Sequence, residues 1–401
     1  MVELPASERN AGLRRELVGL DVIRFCAAAL VMFYHFGYWH WTKVAQIFSK
    51  LFPGHAAPVH GLNFGWVGVE IFFVLSGFVI AISAEAATPR SFLRSRILRL
   101  APGVWICGTI AFVVYATIVP TGPHPLLWSY LCSMLFVPLG YIDAVYWTLT
   151  IEICFYALVL ALLATRRLHL LERVAVVLGL ASGAFWAAAL VLQTVLAGKT
   201  GAAGLLHLLV LKAEGNRLLQ FLLVQHGCLF ALGILLYAAY RKGLDRTRAA
   251  AIAGLALCCW LEIIGQNGII ERAAGEPLSP LPALLAWSCA MVLIALSARF
   301  ADGISRKAGS TIGGFRFVGK MTYPLYLLHD SVGLAICFVL ARALGPWAAA
   351  AGVVGAVAAA ALVQGFIEPR LRVQLAHGLD RWLVHMPRVK MPRRQASAAA
   401  P

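Results

Sequence analysis

An arginine and a histidine lie on one stripe of the first long apolar segment of this chain. Arg24 and His35 are eleven residues apart, which returns a helix to the same face within ~20° and separates the two roughly 16 Å along its axis. A permanent cation inside a membrane span faces a partner or a water-filled cavity, because exposure to lipid is costly. We therefore expect an interior path with a cation near one end and a titratable base near the other.

Two glutamates lie in later apolar segments, Glu70 in the second and Glu152 in the fourth. At ~1.5 Å per residue both lie within roughly 10 Å of the outer ends of their spans, the depth expected for His35. A histidine can take a proton from an attacking hydroxyl, and a nearby carboxylate can fix its tautomer and stabilise the imidazolium. We predict His35 and Glu152 as catalytic residues and Glu70 as a substrate-binding residue.

A basic pair, Arg96 and Arg99, lies at the inner mouth of the third span. The i,i+3 spacing places two guanidinium groups on neighbouring positions of one helix face, and their forked donors match phosphate. Basic residues are expected at any inner helix end, so the pair alone does not establish a site. Together with Arg24, His35 and the glutamates near the outer side, the pair suits an enzyme that transfers an acyl group from a nucleotide thioester to an alcohol.

Four further residues complete the predicted substrate-binding set. They are Trp147, in the segment that carries Glu152, and Tyr323, Tyr326 and His329, late in the chain. Pro324 predicts a kinked helix around the two tyrosines, whose phenols would be partnered. His329 could equally pair with a helix backbone or a neighbour. Ser76-Gly77 is read as a close-packing site rather than a nucleophile.

Composition places the chain in a membrane. It is 61% hydrophobic and only 13% charged, with a mean hydropathy of +0.80, whereas a soluble domain is about 25% charged. The net charge of +16 does not indicate nucleic-acid binding, because the basic residues cluster at helix ends. The nine cysteines form no CxxC pair and no ligand-spaced set with histidine. We therefore predict neither a metal site nor a tightly bound cofactor.

Apolar segments of about 20 residues predict an all-α membrane protein with ten spans. The predicted spans are 19–39, 66–86, 100–119, 146–165, 173–197, 218–240, 249–269, 281–299, 320–342 and 347–367. A shorter apolar piece, 127–139, is predicted as a re-entrant or interfacial helix, with an eleventh span as the alternative.

The distribution of positive charge favours ten spans with both termini cytoplasmic. In that topology 26 of the Lys and Arg residues are inside and 7 outside, as the positive-inside rule requires. The predicted division is a cytoplasmic segment 1–18, a membrane domain 19–369 and a basic, partly disordered cytoplasmic tail 370–401. The outer loops carry histidines that could touch a polar substrate or belong to an interfacial aromatic belt: His40, His55, His60 and His124.

From about residue 17 to about residue 370 the sequence resembles the acyltransferase-3 family of bacterial membrane O-acyltransferases. Five motifs in order carry the resemblance. The first two are an arginine, ten residues and a histidine at 24–35, and the G-V-x-I-F-F-V-L-S-G-F pattern at 68–78. The other three each differ from the family pattern at one position: F-x-x-x-R-x-x-R-I-x-P at 92–102, with Leu100 for isoleucine; W-S-L-x-x-E at 147–152, with Thr148 for serine; and S-Y-P-L-Y-L-x-H at 322–329, with Thr322 for serine. Each motif is loose, but five at suitable spacing are specific.

The resemblance implies a ten-span core, an acyl-coenzyme A donor on the cytoplasmic side and a carbohydrate acceptor on or near the outer side. It assigns His35 as the catalytic base, Arg24 as a donor-contacting or pore-lining cation, and Arg96 and Arg99 as donor-binding groups. The expected activity is that of an inner-membrane O-acyltransferase, with acetyl as the expected acyl group and a sugar hydroxyl of a cell-envelope or exported glycan as acceptor.

Two other functions fit parts of the sequence. A transporter or flippase for a glycolipid or small solute would also need buried charges and a polar stripe, although no inverted repeat is evident. A structural membrane scaffold would leave Arg24, His35 and Glu152 without a reason to be buried. Binding of acyl-CoA would separate the enzyme from both alternatives.

Overall fold

The computed structural model describes residues 17–54, 59–118 and 123–384, in which helices are joined by loops and no strand is present. The main helices are α1 (Val18–Gly37), α2 (Gly68–Glu85), α3 (Pro89–Ile118), α4 (Pro123–Met134), α5 (Trp147–Ala164), α6 (Leu171–Leu196), α7 (Gly201–Glu214), α8 (Gly227–Lys242), α9 (Arg246–Ala274), α10 (Leu281–Arg299), α11 (Ile312–Leu328), α12 (Ser331–Leu344), α13 (Trp347–Leu362) and α14 (Glu368–Val384). Shorter helices cover Ile47–Leu51, Arg217–Phe221 and Ala301–Ala308.

Most of the long described helices are apolar on most faces, as expected for segments that meet lipid on one side and protein on the other, whereas α14 and the short helix Ala301–Ala308 are more polar. Eight of them are long and apolar enough to cross a membrane, and a bent pair brings the number to nine if it counts as one span. The predicted all-α membrane class is therefore confirmed.

Close helix packing positions the interior. Helix α2 packs along α8, and α1 packs against both α2 and α11. A side-chain carbon at Gly77 would overlap the carbonyl of Phe230, and one at Gly233 would overlap that of Val74. Small residues allow two helix backbones to approach in this way, so the close-packing interpretation of Gly77 is correct.

The prediction of one continuous span over 218–240 is wrong. The chain forms the short helix Arg217–Phe221, leaves the helical path and re-enters it at Gly227. The Gln225 carbonyl, which a continuous helix would use internally, instead accepts hydrogen bonds from Ser182 Oγ at 3.0 Å and Trp186 Nε1 at 2.8 Å. Side chains of α6 therefore stabilise the break, as non-helical backbone inside a membrane protein requires.

The predicted span 320–342 is also broken. Helices α11 and α12 meet at an angle of 63° across His329 and Asp330. The His329 Nδ1 lies 2.8 Å from the Tyr326 carbonyl, so a side chain takes over a backbone acceptor at the bend. The expected kink at Pro324 does not interrupt α11; the sharp bend comes five residues later.

The short predicted helix and the predicted tail both have structure. Helix α4 has 12 residues, or roughly 18 Å, too short to cross a hydrocarbon core of about 30 Å; it begins four residues before the predicted piece 127–139. The last span continues through a wide turn at Val363–Ile367 into α14. Residues 370–384, predicted as part of the tail, are thus helical; 1–16 and 385–401 lie outside the described residues.

Candidate active site

A cavity lies between α1, α2, α3, α5 and α11, and it unites six of the predicted site residues. We call it the arginine cavity. Its polar lining consists of Arg24, Ser76, Arg96, Arg99, Thr148, Glu152, Tyr156, Thr322, Tyr323 and Tyr326. Residues from five helices that are distant in sequence therefore share one interior space. The depths estimated from the sequence did not predict that these helices are neighbours.

Aromatic rings hold the two arginines of α3. The Arg96 guanidinium carbon lies 5.6 Å from the Phe92 ring centre and 5.4 Å from that of Tyr156. Arg99 lies 5.1 Å from the Tyr323 ring centre. Cation–π contacts of this kind stabilise a cation without neutralising it. The neighbouring Arg94 instead forms two hydrogen bonds with Asp380, of 2.6 and 2.8 Å.

A second cavity adjoins the first, and we call it the basic cleft. Its polar lining consists of Asp21, Arg24, Ser83, Arg94, Ser95, Arg96, Arg99, Arg316, Lys320 and Arg372. Arg24, Arg96 and Arg99 line both cavities, so the two spaces meet at these three cations. Arg24 has a local carboxylate partner, Asp21, at 3.3 Å. The arrangement matches the expected interior path at its cationic end.

Glu152 lies on the wall of the arginine cavity. Its Oε1 accepts a hydrogen bond of 2.9 Å from Ser76 Oγ and another from the Tyr156 hydroxyl. Ser76 was assigned to packing in the sequence, yet only its neighbour Gly77 has that role. Tyr156 is one helical turn after Glu152, and this spacing was the signal available for it. Glu152 thus faces hydroxyls and arginines rather than His35.

His35 belongs to a separate group that we call the histidine cluster: His35, His40, His329 and Asp330. The Nδ1 of His35 lies 2.7 Å from the Nε2 of His329, whose Nδ1 lies 2.8 Å from the Tyr326 carbonyl. A carbonyl only accepts, so His329 Nδ1 carries hydrogen, and in the neutral ring Nε2 must accept from His35 Nδ1. The lone pair of His35 is consequently at Nε2, the nitrogen a general base needs.

A carboxylate ends the histidine cluster. His40 Nε2 lies 2.8 Å from Asp330 Oδ1, and the rings of His40 and His35 stack with their centres 5.6 Å apart. Burial raises the pKa of Asp143, which lies outside the spans, and the charge of Asp330 raises it further. Asp330 is the carboxyl group that lies beside the histidines. The sequence named His40 only as one of several outer-loop histidines, and it missed Asp330, whose position directly after His329 was the available signal.

The other outer-loop histidines take no part in this cluster as far as the structure describes them. His60 lies in the loop before α2, with a side chain 61% exposed. His55 and the side chain of His124 lie outside the described residues.

Glu70 and Trp147 lie in a third group. Glu70 Oε2 is 4.0 Å from His226 Nδ1, which is 2.6 Å from Glu262 Oε1. The Trp147 ring lies against the His226 ring with 5.6 Å between centres. His35, Glu70 and Glu152, expected at one depth, thus belong to three different clusters. No described contact joins Glu70 or Trp147 to the other predicted site residues.

The fold and the two adjoining cavities define a polytopic membrane protein with an internal cationic site and a hydrogen-bonded histidine cluster. Over residues 17–364 the chain matches the acyltransferase-3 family, described as an acyltransferase domain, and it belongs to that family. This confirms the resemblance found in the sequence and establishes a membrane acyltransferase.

Two curated relatives are similar over parts of the chain. One is nodulation protein 10 of Rhizobium leguminosarum bv. viciae, 27% identical over 175 residues, which are 38% of this chain and 45% of the relative. Another is the exopolysaccharide production protein ExoZ of Rhizobium meliloti (strain 1021), 35% identical over 121 residues, 26% of this chain and 36% of the relative. The chain thus spans less than half the length of either relative. No solved structure matches the chain.

Proposed function

We propose that the chain is an inner-membrane O-acyltransferase that moves an acyl group, with acetyl expected, from cytoplasmic acyl-CoA to a sugar hydroxyl of a cell-envelope or exported glycan. The observation that carries the proposal is the junction of the arginine cavity and the basic cleft at Arg24, Arg96 and Arg99. A phosphorylated carrier with a long, thin arm fits a wide cationic entrance that continues into a narrower interior.

The basic cleft is the proposed binding site for the phosphates of the donor. Besides Arg96 and Arg99 it is lined by Arg316, Lys320 and Arg372, none of which the sequence singled out. Guanidinium groups bind phosphate through paired, charge-assisted hydrogen bonds. The pantetheine arm would then extend past Arg24 into the arginine cavity, towards Thr148 and Tyr326.

The acyl end must pass from the arginine cavity to the histidine cluster, whose four residues are not part of the cavity lining. Tyr326 lines the arginine cavity, and its ring lies 5.9 Å from the His329 ring. Phe72, also a lining residue, meets Tyr326 edge-on with 5.9 Å between ring centres. We propose that these two rings line the passage between the arginine cavity and His35.

His35 is proposed to act as the general base. The acceptor oxygen attacks the thioester carbonyl as its proton passes to Nε2 of His35, the C–S bond then breaks, and the proton is returned to the departing thiolate. His329 holds the tautomer of His35, and the Asp330 carboxylate nearby favours the transient imidazolium. In this account Glu152 is a positioning residue that holds Ser76 and Tyr156 beside the arginines, rather than the carboxylate that orients His35.

The acceptor class rests on the relatives and on the location of the base. One relative is named for exopolysaccharide production, which supports a glycan acceptor. His35 lies near the end of α1 opposite to the basic cleft, so donor and acceptor would approach from opposite faces of the membrane.

The test is transfer of label from radiolabelled acetyl-CoA to an envelope glycan fraction by detergent-purified protein. We expect transfer by the wild type, none by His35→Ala, and normal transfer by His60→Ala, a control histidine with an exposed side chain. Equal transfer by His35→Ala would contradict the mechanism. Failure of the wild type to bind acetyl-CoA at all would favour the transporter.

A further inference from the structure

A third polar cluster, outside the two groups used in the proposed mechanism, joins α2, α8 and α9. It consists of Glu70 in the first turn of α2, His226 immediately before α8, and Glu262 within α9. His226 and Glu262 are fully buried and Glu70 is 3% exposed. One nitrogen or oxygen from each residue lies within 4.8 Å of those from the other two. Three groups able to bind a metal thus converge at one buried point.

The contacts of the cluster leave one carboxylate oxygen unsatisfied. His226 Nδ1 is 2.6 Å from Glu262 Oε1, and the Cys228 thiol donates to Glu262 Oε2 at 2.8 Å. Glu70 Oε2 has no hydrogen-bond partner among the described residues, and it lies 4.0 Å from His226 Nδ1. A buried polar atom without a partner is rare and costly, so this oxygen indicates a missing binding partner inside the cluster.

Charge balance indicates the sign and magnitude of the charge that such a partner would carry. In the described part of the chain the ion pairs of Glu70 and Glu262 are with His226 alone. The Glu70 and Glu262 side chains are within hydrogen-bond distance of each other, and two adjacent carboxylates in a membrane interior are unstable unless a shared proton or a cation neutralises them. A divalent cation would balance both charges and accept the lone pair of the imidazole.

We propose that Glu70, His226 and Glu262 bind a divalent transition-metal ion of the zinc class. One imidazole nitrogen with two carboxylate oxygens is a ligand set that zinc accepts. The Cys228 hydrogen bond orients Glu262, as outer groups around metal ligands do. The Phe73 and Trp147 rings lie 5.3 and 5.6 Å from the His226 ring and cover it. The ion would therefore join three helices, α2, α8 and α9.

The experiment uses the full-length protein in detergent, stripped with a chelator, reloaded with Zn²⁺ and freed of excess metal. Elemental analysis should find about one zinc per chain in the wild type and less than about a tenth of that in Glu262→Gln. The control is Glu271→Gln, which changes a carboxyl group on the same helix but outside the cluster, and it should retain the metal. Added Zn²⁺ should raise the Tm of the wild type and of the control but not of Glu262→Gln.

Two results would overturn the inference. One is a wild type that holds no more zinc after reloading than Glu262→Gln; the other is a Tm unchanged by Zn²⁺, the result expected if the two carboxyl groups share a proton instead. If Glu262→Gln does not fold, the zinc content of the reloaded wild type decides alone. Because neither readout depends on acyl transfer, failure here and failure of the proposed enzyme are distinguishable.

Discussion

The arginine cavity and the histidine cluster hold their polar groups in different ways. In the cavity, Arg96 and Arg99 lie against ring faces, and Arg96 donates to the serine hydroxyls Ser83 and Ser95, partners that a phosphate can replace. In the histidine cluster, a chain of hydrogen bonds from the Tyr326 carbonyl to His35 engages both ring nitrogens of His329 and the Nδ1 of His35. The arginine cavity thus keeps its positive charge available to a ligand, whereas the histidine cluster holds His35 in one tautomer.

Among substitutions that test this difference between the two regions, His35→Ala should have the largest effect on the rate of acyl transfer. His35→Ala removes the nitrogen that accepts the proton, and a general base contributes roughly 10²–10⁴-fold to rate. The loss should appear in kcat, measured as steady-state acetyl transfer, with the KM for acetyl-CoA unchanged. A tenfold rise in KM with unchanged kcat would place His35 in donor binding instead.

The next largest effect is expected at His329. His329→Ala removes the acceptor for His35 Nδ1–H, so the base loses its fixed tautomer, and we expect kcat to fall about 10–100-fold, the range for losing a hydrogen bond that involves a charged group. His329→Gln, whose side-chain carbonyl can still accept a hydrogen bond, should recover part of the rate. Equal losses in both variants would show that only packing was disturbed.

A smaller, binding-specific effect is expected at Arg99. Arg99→Ala should raise the KM for acetyl-CoA about tenfold while kcat changes little, since one charge-assisted hydrogen bond to phosphate is worth roughly 1.5–3 kcal/mol. Arg99→Lys should not restore binding, because an ammonium group lacks the forked donors. Arg90→Ala is the matched control on the same helix, at a position outside the linings of both cavities, and an equal effect there would mean that only general positive charge matters.

The smallest effect is expected at Ser76. Ser76→Ala removes one hydrogen bond to Glu152, worth about 0.5–1.5 kcal/mol, so kcat/KM should fall only about two- to tenfold. Gly77→Ala, one residue later, should instead lower stability with a normal specific activity in the folded fraction, because its side chain meets the backbone of α8. A loss of more than a hundredfold with Ser76→Ala would assign the hydroxyl to the reaction itself.

The sequence predicted the features that depend on local spacing. The common stripe of Arg24 and His35 and the common face of Arg96 and Arg99 follow from helical periodicity. Burial of charge in a span also singled out Glu152, which lies on the wall of the arginine cavity. The positions of most helices followed from runs of apolar residues.

Contacts between distant segments could not be predicted in this way. Nothing in the spacing shows that Glu152 meets Ser76 or that His35 meets His329, because helix order in a bundle is set by packing. The two broken spans were missed for a related reason. Each break depends on a side chain that satisfies a freed carbonyl, at Gln225 and at Tyr326, and one of these partners comes from another helix.

The most direct test of the account is equilibrium binding of acetyl-CoA, measured by calorimetry on the detergent-purified wild type, His35→Ala and the double variant Arg96→Ala/Arg99→Ala. If the arginines bind the donor and the histidine cluster supplies only the base, His35→Ala should bind acetyl-CoA as tightly as the wild type. The double variant should bind it at least tenfold more weakly. Normal binding by the double variant, or loss of binding with His35→Ala, would contradict it.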